Sequence, residues 1–295
     1  MTRKIKTAIV TGATGFIGRH LVHRLLQEQF SVIAISRSKT PCHVVINNDI
    51  RVIWCQWHSV ENCITDQHNL VAVIHLATAY GRTIDCFHEI EKANVLKPLT
   101  LLEFSVKHKI PIFINTDSFF TKTEYNYQHM IPYILTKRSF NKWGEYFSSL
   151  GELSFINMRL EHVYGPGDRE GKFIPFLINA LKSSTKKIDC TDCSQKRDFI
   201  YIDDVIDAYI TVLKYGTLPG YVEYGVGLGY SVTMKDFIEC LKKQLISNIS
   251  IDYGALPHRK NEIMNSYADN SSLVVLGWKP KTNYLEGINN MIKKS

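Results

Sequence analysis

The chain has 295 residues, 45% hydrophobic and 21% charged, with Gly 17 and Pro 9, a globular balance that excludes a disordered or fibrous chain. At roughly 150 residues per domain the length suits two domains. Lys plus Arg (35) against Asp plus Glu (28) leaves +7, scattered in pairs such as Lys242-Lys243 rather than in a run, which fits a phosphorylated small molecule and predicts no nucleic-acid partner.

An odd number of cysteines, 7, in a chain that needs no staples predicts free thiols and a reducing compartment. The N-terminal apolar stretch stops at Val10, too short for the core of a signal peptide, and no run reaches the roughly 18 apolar residues of a membrane span. A cytoplasmic protein with no membrane partner is expected.

In chain order, residues 7–10 read as a strand, 17–29 as a helix, 31–36, 52–55 and 71–76 as strands, 88–108 as a helix and 112–115 as a strand. Residues 132–150 read as a helix opened by Pro132, with Gly144 as a weak point. Strands alternating with helices predict right-handed crossovers and an α/β, doubly wound parallel sheet covered on both faces. The texture changes at Gly165-Pro166-Gly167. A first domain over 1–164 and a smaller C-terminal α/β domain over 165–295 follow, with strands at 199–202 and 221–226 and a stretch around 203–226 returning to the first domain.

Between the first strand and the first helix stands Thr11-Gly12-Ala13-Thr14-Gly15-Phe16-Ile17-Gly18-Arg19. Glycines three residues apart let the backbone turn tightly and approach a pyrophosphate, whose charge is met by helix N-terminal amides. Gly12, Thr14, Gly15, Phe16, Ile17 and Gly18 are therefore expected around a dinucleotide. The end of the next strand selects which one, because an acidic residue there would bind the ribose hydroxyls of NAD. None occurs. Residues 33–40 read Ile-Ala-Ile-Ser-Arg-Ser-Lys-Thr, so Ser36, Arg37 and Ser38, with Lys39 beside them, offer hydroxyls and cations to a 2′-phosphate and predict NADP(H).

Tyr133 and Lys137 lie four residues apart, on one face of the predicted helix, downstream of a strand that ends in Thr116-Asp117-Ser118. Reducing a ketone requires a hydride at carbon and a proton at the developing alkoxide. A phenol is a useful acid when a cation lowers its pKa, the role open to Lys137, and the Thr116 hydroxyl could donate to the same oxygen.

These features occur together with His75-Leu76-Ala77, Asn94-Val95, Arg159-Leu-Glu-His-Val-Tyr-Gly-Pro-Gly167, Arg197-Asp198-Phe199, Asp203-Asp204 and Leu276-Gly-Trp-Lys-Pro280. The sequence in this order resembles the extended short-chain dehydrogenase/reductases of the NAD-dependent epimerase/dehydratase group, Rossmann-fold enzymes that remodel nucleotide-activated sugars. Within the group, the segments 115–120, 125–130, 133–138 and 158–168 are most similar to reductases that use NADPH on the 4-keto group of a CDP-4-dehydro-3,6-dideoxyhexose for surface polysaccharide.

The resemblance implies a catalytic trio of Thr116, Tyr133 and Lys137, which also touches the cofactor, with Leu76, Ala77 and Asn94 beside that cofactor. It assigns Thr78, Ser118, His162, Lys172, Arg197 and Arg259 to the substrate, the two arginines to its diphosphate. It also implies a homodimer through the helices at 94–108 and 140–150. The group commonly carries Asn at the position of His162, and its dehydratases carry Glu at that of Ser118, so elimination lacks its expected base. A 4-epimerase using the same trio stays open, as does a non-catalytic NADP-binding sensor, which could dispense with Tyr133 and Lys137. Gln56-Trp57-His58 lacks the Asp often set against the adenine, leaving Trp57 to pack beside the base or, the favoured reading, in the core. Cys190-Thr191-Asp192-Cys193 has no second ligand pair nearby, and no metal is expected.

Overall fold

The structure, a computed structural model, describes residues 4–37, 49–81, 87–183, 187–216 and 220–293. The β-branched runs near the N-terminus form β1 (Ile5–Thr11), β2 (Ser31–Ile35), β3 (Val52–Cys55) and β4 (His68–His75), with α1 (Phe16–Gln27) after β1. There follow α2 (Phe87–Glu91), a π-helical turn at Lys92–Leu96, α3 (Lys97–Lys107), β5 (Ile112–Ser118), α4 (Ile131–Ser149) and β6 (Ser154–Leu160). The second half contributes β7 (His162–Tyr164), α5 (Phe173–Lys182), β8 (Lys187–Cys190), β9 (Lys196–Arg197), β10 (Phe199–Tyr201), α6 (Ile202–Tyr215) and β11 (Gly220–Val226). It ends with β12 (Val232–Thr233), α7 (Met234–Gln244), β13 (Ser250–Tyr253), β14 (Asn265–Ser266), α8 (Ser271–Val275) and α9 (Tyr284–Lys293).

A seven-stranded sheet runs in the order β11-β6-β5-β4-β1-β2-β3. The pairs β1–β2, β1–β4, β2–β3 and β4–β5 are parallel, as the alternation of strands and helices predicts. Every residue of β2 is buried, as are Ala8, Ile9 and Val10 of β1, because helices cover both faces of a doubly wound sheet. The apolar stripe of α1, Leu21, Val22, Leu25 and Leu26, recurs at helical spacing and has no exposed face to satisfy. The strand order reverses between β1 and β4, so the connections leaving their paired C-terminal ends run to opposite faces of the sheet, the place where such sheets bind ligands.

The chain divides into two compact units: Met1–Thr121, Met130–Arg159 and Ile206–Tyr224 form the first, and Lys122–His129, Leu160–Val205 and Gly225–Ser295 the second. The first unit thus relinquishes the chain before Gly165, since β7 pairs in parallel with β10 of the second. β6 was not singled out by the sequence; it lies between β5 and β11, and Phe155 on it is packed into the core with Phe113 and Phe140. Gly144 of α4 faces that ring, and a Cβ there would overlap it. What reads as a helix weakness is a packing requirement.

The second unit is built from short strands: β7–β10, β8–β13 and the three-stranded β12-β9-β14. Its core is aromatic, with Phe199 stacked on Phe237 and both beside Tyr164. Two buried carboxylates organise its loops. Asp198 accepts from the backbone amides of Leu228, Gly229 and Ala268, while Asp204 accepts from those of Lys281 and Thr282. The indole of Trp278 donates to the carbonyl of Asp204, so these late motif residues hold structure rather than chemistry. Among the described residues no helix is long and apolar enough to cross a membrane.

Candidate active site

The glycine turn fits a dinucleotide for reasons visible in its packing. Gly12 has φ +65°, where side chains are strained, and a Cβ there would lie 2.8 Å from the amide nitrogen of Ala77. At Gly18 a Cβ would overlap the Gly12 carbonyl oxygen, so α1 could not approach β1. The Gly15 amide donates to that carbonyl at 2.8 Å, closing the turn. α1 starts at Phe16 and Ile17 with no side-chain cap and no acidic residue in its first turn, which leaves the positive end of its dipole available to an anion. Thr14 is exposed at the turn.

Thr11 joins the two strands at the switch point. Its Oγ1 accepts from the amides of Leu76 and Ala77, each at 3.1 Å, and lies 2.8 Å from His75 Nδ1. With two amides donating to it, the threonine passes its own proton to the imidazole. Burial, aided by the Lys137 charge, holds His75 well below the ordinary histidine range, so it accepts as a neutral ring.

At the end of β2, Ser36 is buried and its amide donates to the Cys55 carbonyl at 2.9 Å. Arg37 is exposed, and its carbonyl accepts from Gln56 Nε2 at 2.9 Å. Ser38 and Lys39 lie outside the described residues. Trp57 is half-buried against the hydrophobic core, with Lys97 Nζ 5.7 Å from its ring centroid.

The strand period of β5 separates chemistry from scaffold. Thr116 and Ser118 point to one side, Asn115 and Asp117 to the other. On the first side, Lys137 Nζ donates to the Thr116 carbonyl at 2.8 Å, and the Tyr133 hydroxyl is hydrogen-bonded to the Ser118 side chain. The ring of Tyr80 stacks on Tyr133, centroids 5.2 Å apart. Thr116 Oγ1 lies 2.6 Å from the hydroxyl of Tyr209 on α6. Thr116, Tyr133, Lys137 and Ser118 are therefore brought together, and Tyr80 and Tyr209 join them.

On the other side, Asp117 is 3% exposed, and its Oδ2 accepts from Thr121, Asn141 and Asn157 at 2.8, 2.8 and 3.1 Å. Asn115 donates to the amide oxygens of Asn141 and Asn157. Asn157 and Arg159 both reach Glu223, at 2.9 and 2.6 Å. This buried polar layer supports the strand end that carries Thr116.

One electrostatic expectation is corrected. Burial pushes the Tyr133 phenol well above its usual pKa, with Tyr80 and Asp117 adding to the rise and only Ser118 opposing it. Burial decides the direction at the phenol, while the Lys137 ammonium donates to the Thr116 carbonyl. Burial also draws Lys137 down to about 8, against the pull of Asp117. The phenol is thus held protonated, ready to give a proton rather than take one.

Asn94, set in the π-helical turn, uses its whole amide on the protein. It accepts from Thr78 Oγ1 and the Ala79 amide, and donates to the Ala79 carbonyl and to Thr136 Oγ1. It clamps the segment after β4 to α4, one turn from Tyr133.

In the second unit, Lys172 and Arg197 both lie near enough to His162 for their charges to add to the burial that holds its imidazole well below the usual range. His162 also packs edge-on against Phe199. Arg197 is buried and pairs with Glu262 at 2.6 Å; Lys172 pairs with Asp168 at 2.9 Å, and Arg259 donates to the Tyr127 hydroxyl at 3.0 Å. Lys122 donates to Glu161 and to the Tyr267 carbonyl, both at 2.7 Å, a buried pair that sequence reasoning did not find.

A glycine turn made for a pyrophosphate and a Thr–Tyr–Lys cluster at the C-terminal end of a parallel strand define a nicotinamide-dependent enzyme of the short-chain dehydrogenase/reductase type. The chain belongs to the NAD dependent epimerase/dehydratase family, whose model it matches over residues 8–227. It is 45% identical to the CDP-abequose synthase of Salmonella typhimurium strain LT2, over 100% of both chains. A second CDP-abequose synthase, from Salmonella muenchen, is 42% identical over 97% of each. Among solved structures, MoeE5 in complex with UDP-glucuronic acid and NAD has a TM-score of 0.82 at 26% identity, covering 98% of each chain.

Proposed function

We propose that the protein is an NADPH-dependent nucleotide-sugar 4-ketoreductase that converts CDP-4-dehydro-3,6-dideoxyglucose into CDP-abequose, a cytoplasmic homodimer supplying a deoxysugar for O-antigen or related lipopolysaccharide. The observation that carries this reading is the likeness, 45% identity over 100% of both chains, to a CDP-abequose synthase.

The residues present fit a dinucleotide at Gly12, Gly15, Gly18, Leu76 and Ala77, and Arg37, with no acid at the end of β2, fits a 2′-phosphate. When bound, NADPH supplies the hydride that reaches the carbonyl carbon of the sugar. Tyr133 gives its proton to the carbonyl oxygen as charge develops there, and the alcohol forms as that O–H bond does. The Lys137 ammonium, held against the end of β5, offsets the charge left on the phenolate until solvent returns the proton. Thr116 donates to the same oxygen and holds it in line. Arg197 and Arg259 are assigned the diphosphate, which guanidinium groups bind as a fork; at Arg197 the substrate competes with Glu262.

Elimination is disfavoured on geometry. Asp117 faces the buried amide layer with one oxygen already accepting three donors, and Ser118 has no carboxylate. Incubating the protein with CDP-4-dehydro-3,6-dideoxyglucose and NADPH should consume one cofactor per sugar and yield the galacto-configured alcohol by NMR. Ketone left unreduced with no loss of NADPH, or interconversion of CDP-abequose and its C4 epimer with no net loss of cofactor, overturns the proposal. Tyr133→Phe should lower kcat by about 100-fold or more, the scale of general-acid catalysis.

A further inference from the structure

We infer that Tyr209, which neither the motifs nor the family resemblance singles out, is a positioning residue that directs the Thr116 hydroxyl toward the substrate carbonyl. The inference deepens the ketoreductase reading and rests on it. Thr116 has one hydroxyl proton, which can serve a sugar oxygen only if it is not already spent inside the protein. Its Oγ1 lies 2.6 Å from the Tyr209 hydroxyl, so one of the two must donate to the other.

Tyr209 is 0% exposed on the inner face of α6, beside Ala208 and Val212. The ion pair of Asp207 with Arg24 at 2.9 Å ties that helix to α1. Among the described residues, Thr116 is the hydrogen-bond partner of this phenol. A buried hydroxyl with a single partner satisfies itself best by donating, and a phenol is a stronger donor and a weaker acceptor than an aliphatic alcohol. Burial raises the Tyr209 pKa, so the donor keeps its proton through the working range. The shared proton therefore runs from Tyr209 to Thr116, and the threonine's own O–H is left for the ligand. Lys137 takes the Thr116 carbonyl and not its hydroxyl, so the two duties of this residue do not conflict. Were the direction reversed, Thr116 would spend its proton on Tyr209 and offer the substrate only lone pairs.

The test is a double-mutant cycle with Tyr209→Phe and Thr116→Val, measured with CDP-4-dehydro-3,6-dideoxyglucose and NADPH. Tyr209→Phe keeps the ring and should lower kcat about tenfold with KM unchanged, the scale of one hydrogen bond made effective in the transition state. In the Thr116→Val background the same substitution should cost nothing further. Equal losses in both backgrounds, or full kcat in the single variant, overturn the inference. A second readout needs no turnover: the resonance Raman tyrosine doublet in the difference spectrum of wild type minus Tyr209→Phe. The signature of a donating phenol supports the inference and that of an accepting phenol overturns it. An inactive wild type would thus sink the ketoreductase proposal while the spectrum still decides the direction of this bond.

Discussion

Lys137 is the residue whose ionisation should be visible in the rate. Its ammonium is complete below a pKa of about 8 and is lost as pH rises through that value, whereas Tyr133 stays protonated because burial moves its pKa the other way. The profile of kcat against pH should therefore fall on the alkaline side near 8, well before an ordinary lysine at about 10.4. In Lys137→Arg, which keeps the cation, residual activity should lose that limb; a limb unchanged by the substitution would assign it elsewhere. Arg37 makes a separate prediction about cofactor choice. Arg37→Asp removes the cation and installs an acceptor for ribose hydroxyls, so the ratio of kcat/KM for NADPH over NADH should fall by about tenfold or more. An unchanged ratio would remove Arg37 from the cofactor site. Both residues could be nominated from the sequence because the signals are local: a spacing of four on a helix, and a position at the end of a strand. Thr11 and Tyr209 were not, since each matters through a partner far along the chain, His75 in one case and Thr116 in the other.

At the scale of elements, strands and helices up to α4 could be read from periodicity; their bounds shift at the ends, and the helix expected over 88–108 is divided by the π-helical turn at Lys92–Leu96. The reason is physical: both faces of these strands are buried, so apolar runs of strand length stand out. The polar layer of Asn115, Asn141, Asn157 and Asp117 runs against that pattern, and nothing local marks four polar side chains as mutually satisfied. Gly144 shows the same limit. By helix propensity Gly144→Ala should stabilise α4 by about 1 kcal/mol, but the added methyl would overlap Phe155, and overpacking costs about 1–3 kcal/mol. The packing penalty is expected to win. The melting temperature should fall, at about 2–4 °C per kcal/mol for a domain of this size, and Phe155→Leu in the same chain should recover part of it. A rise in melting temperature would show that the ring moves aside at little cost.

For the whole molecule, the proposed homodimer has a candidate surface. Leu135, Trp143 and Tyr146 are exposed on α4, with Leu150 exposed just after it and Leu96 ahead of α3. The α4 positions recur at helical spacing and form a stripe that a monomer would leave in water. Sedimentation of the wild type should give a dimer, and Trp143→Glu with Tyr146→Glu should shift it to monomer; a wild-type monomer would remove the dimer from the proposal. The Gly165-Pro166-Gly167 change in texture, which suggested a second domain, is a local signal. The assignment of Lys122–His129 to the second unit has no such marker and depends on contacts such as Tyr125 with Asn265.

The first unit is completed out of order, since Ile206–Tyr224 belongs to it although the second unit's Leu160–Val205 comes earlier in the chain. During translation, six of the seven sheet strands leave the ribosome before α6 and β11 exist. The nascent chain therefore has the glycine turn and the phenol in hand while the helix that meets Thr116 is still unmade. Early segments cannot pre-assemble the full constellation, and competence for turnover arrives late in synthesis, as a property of the finished polypeptide.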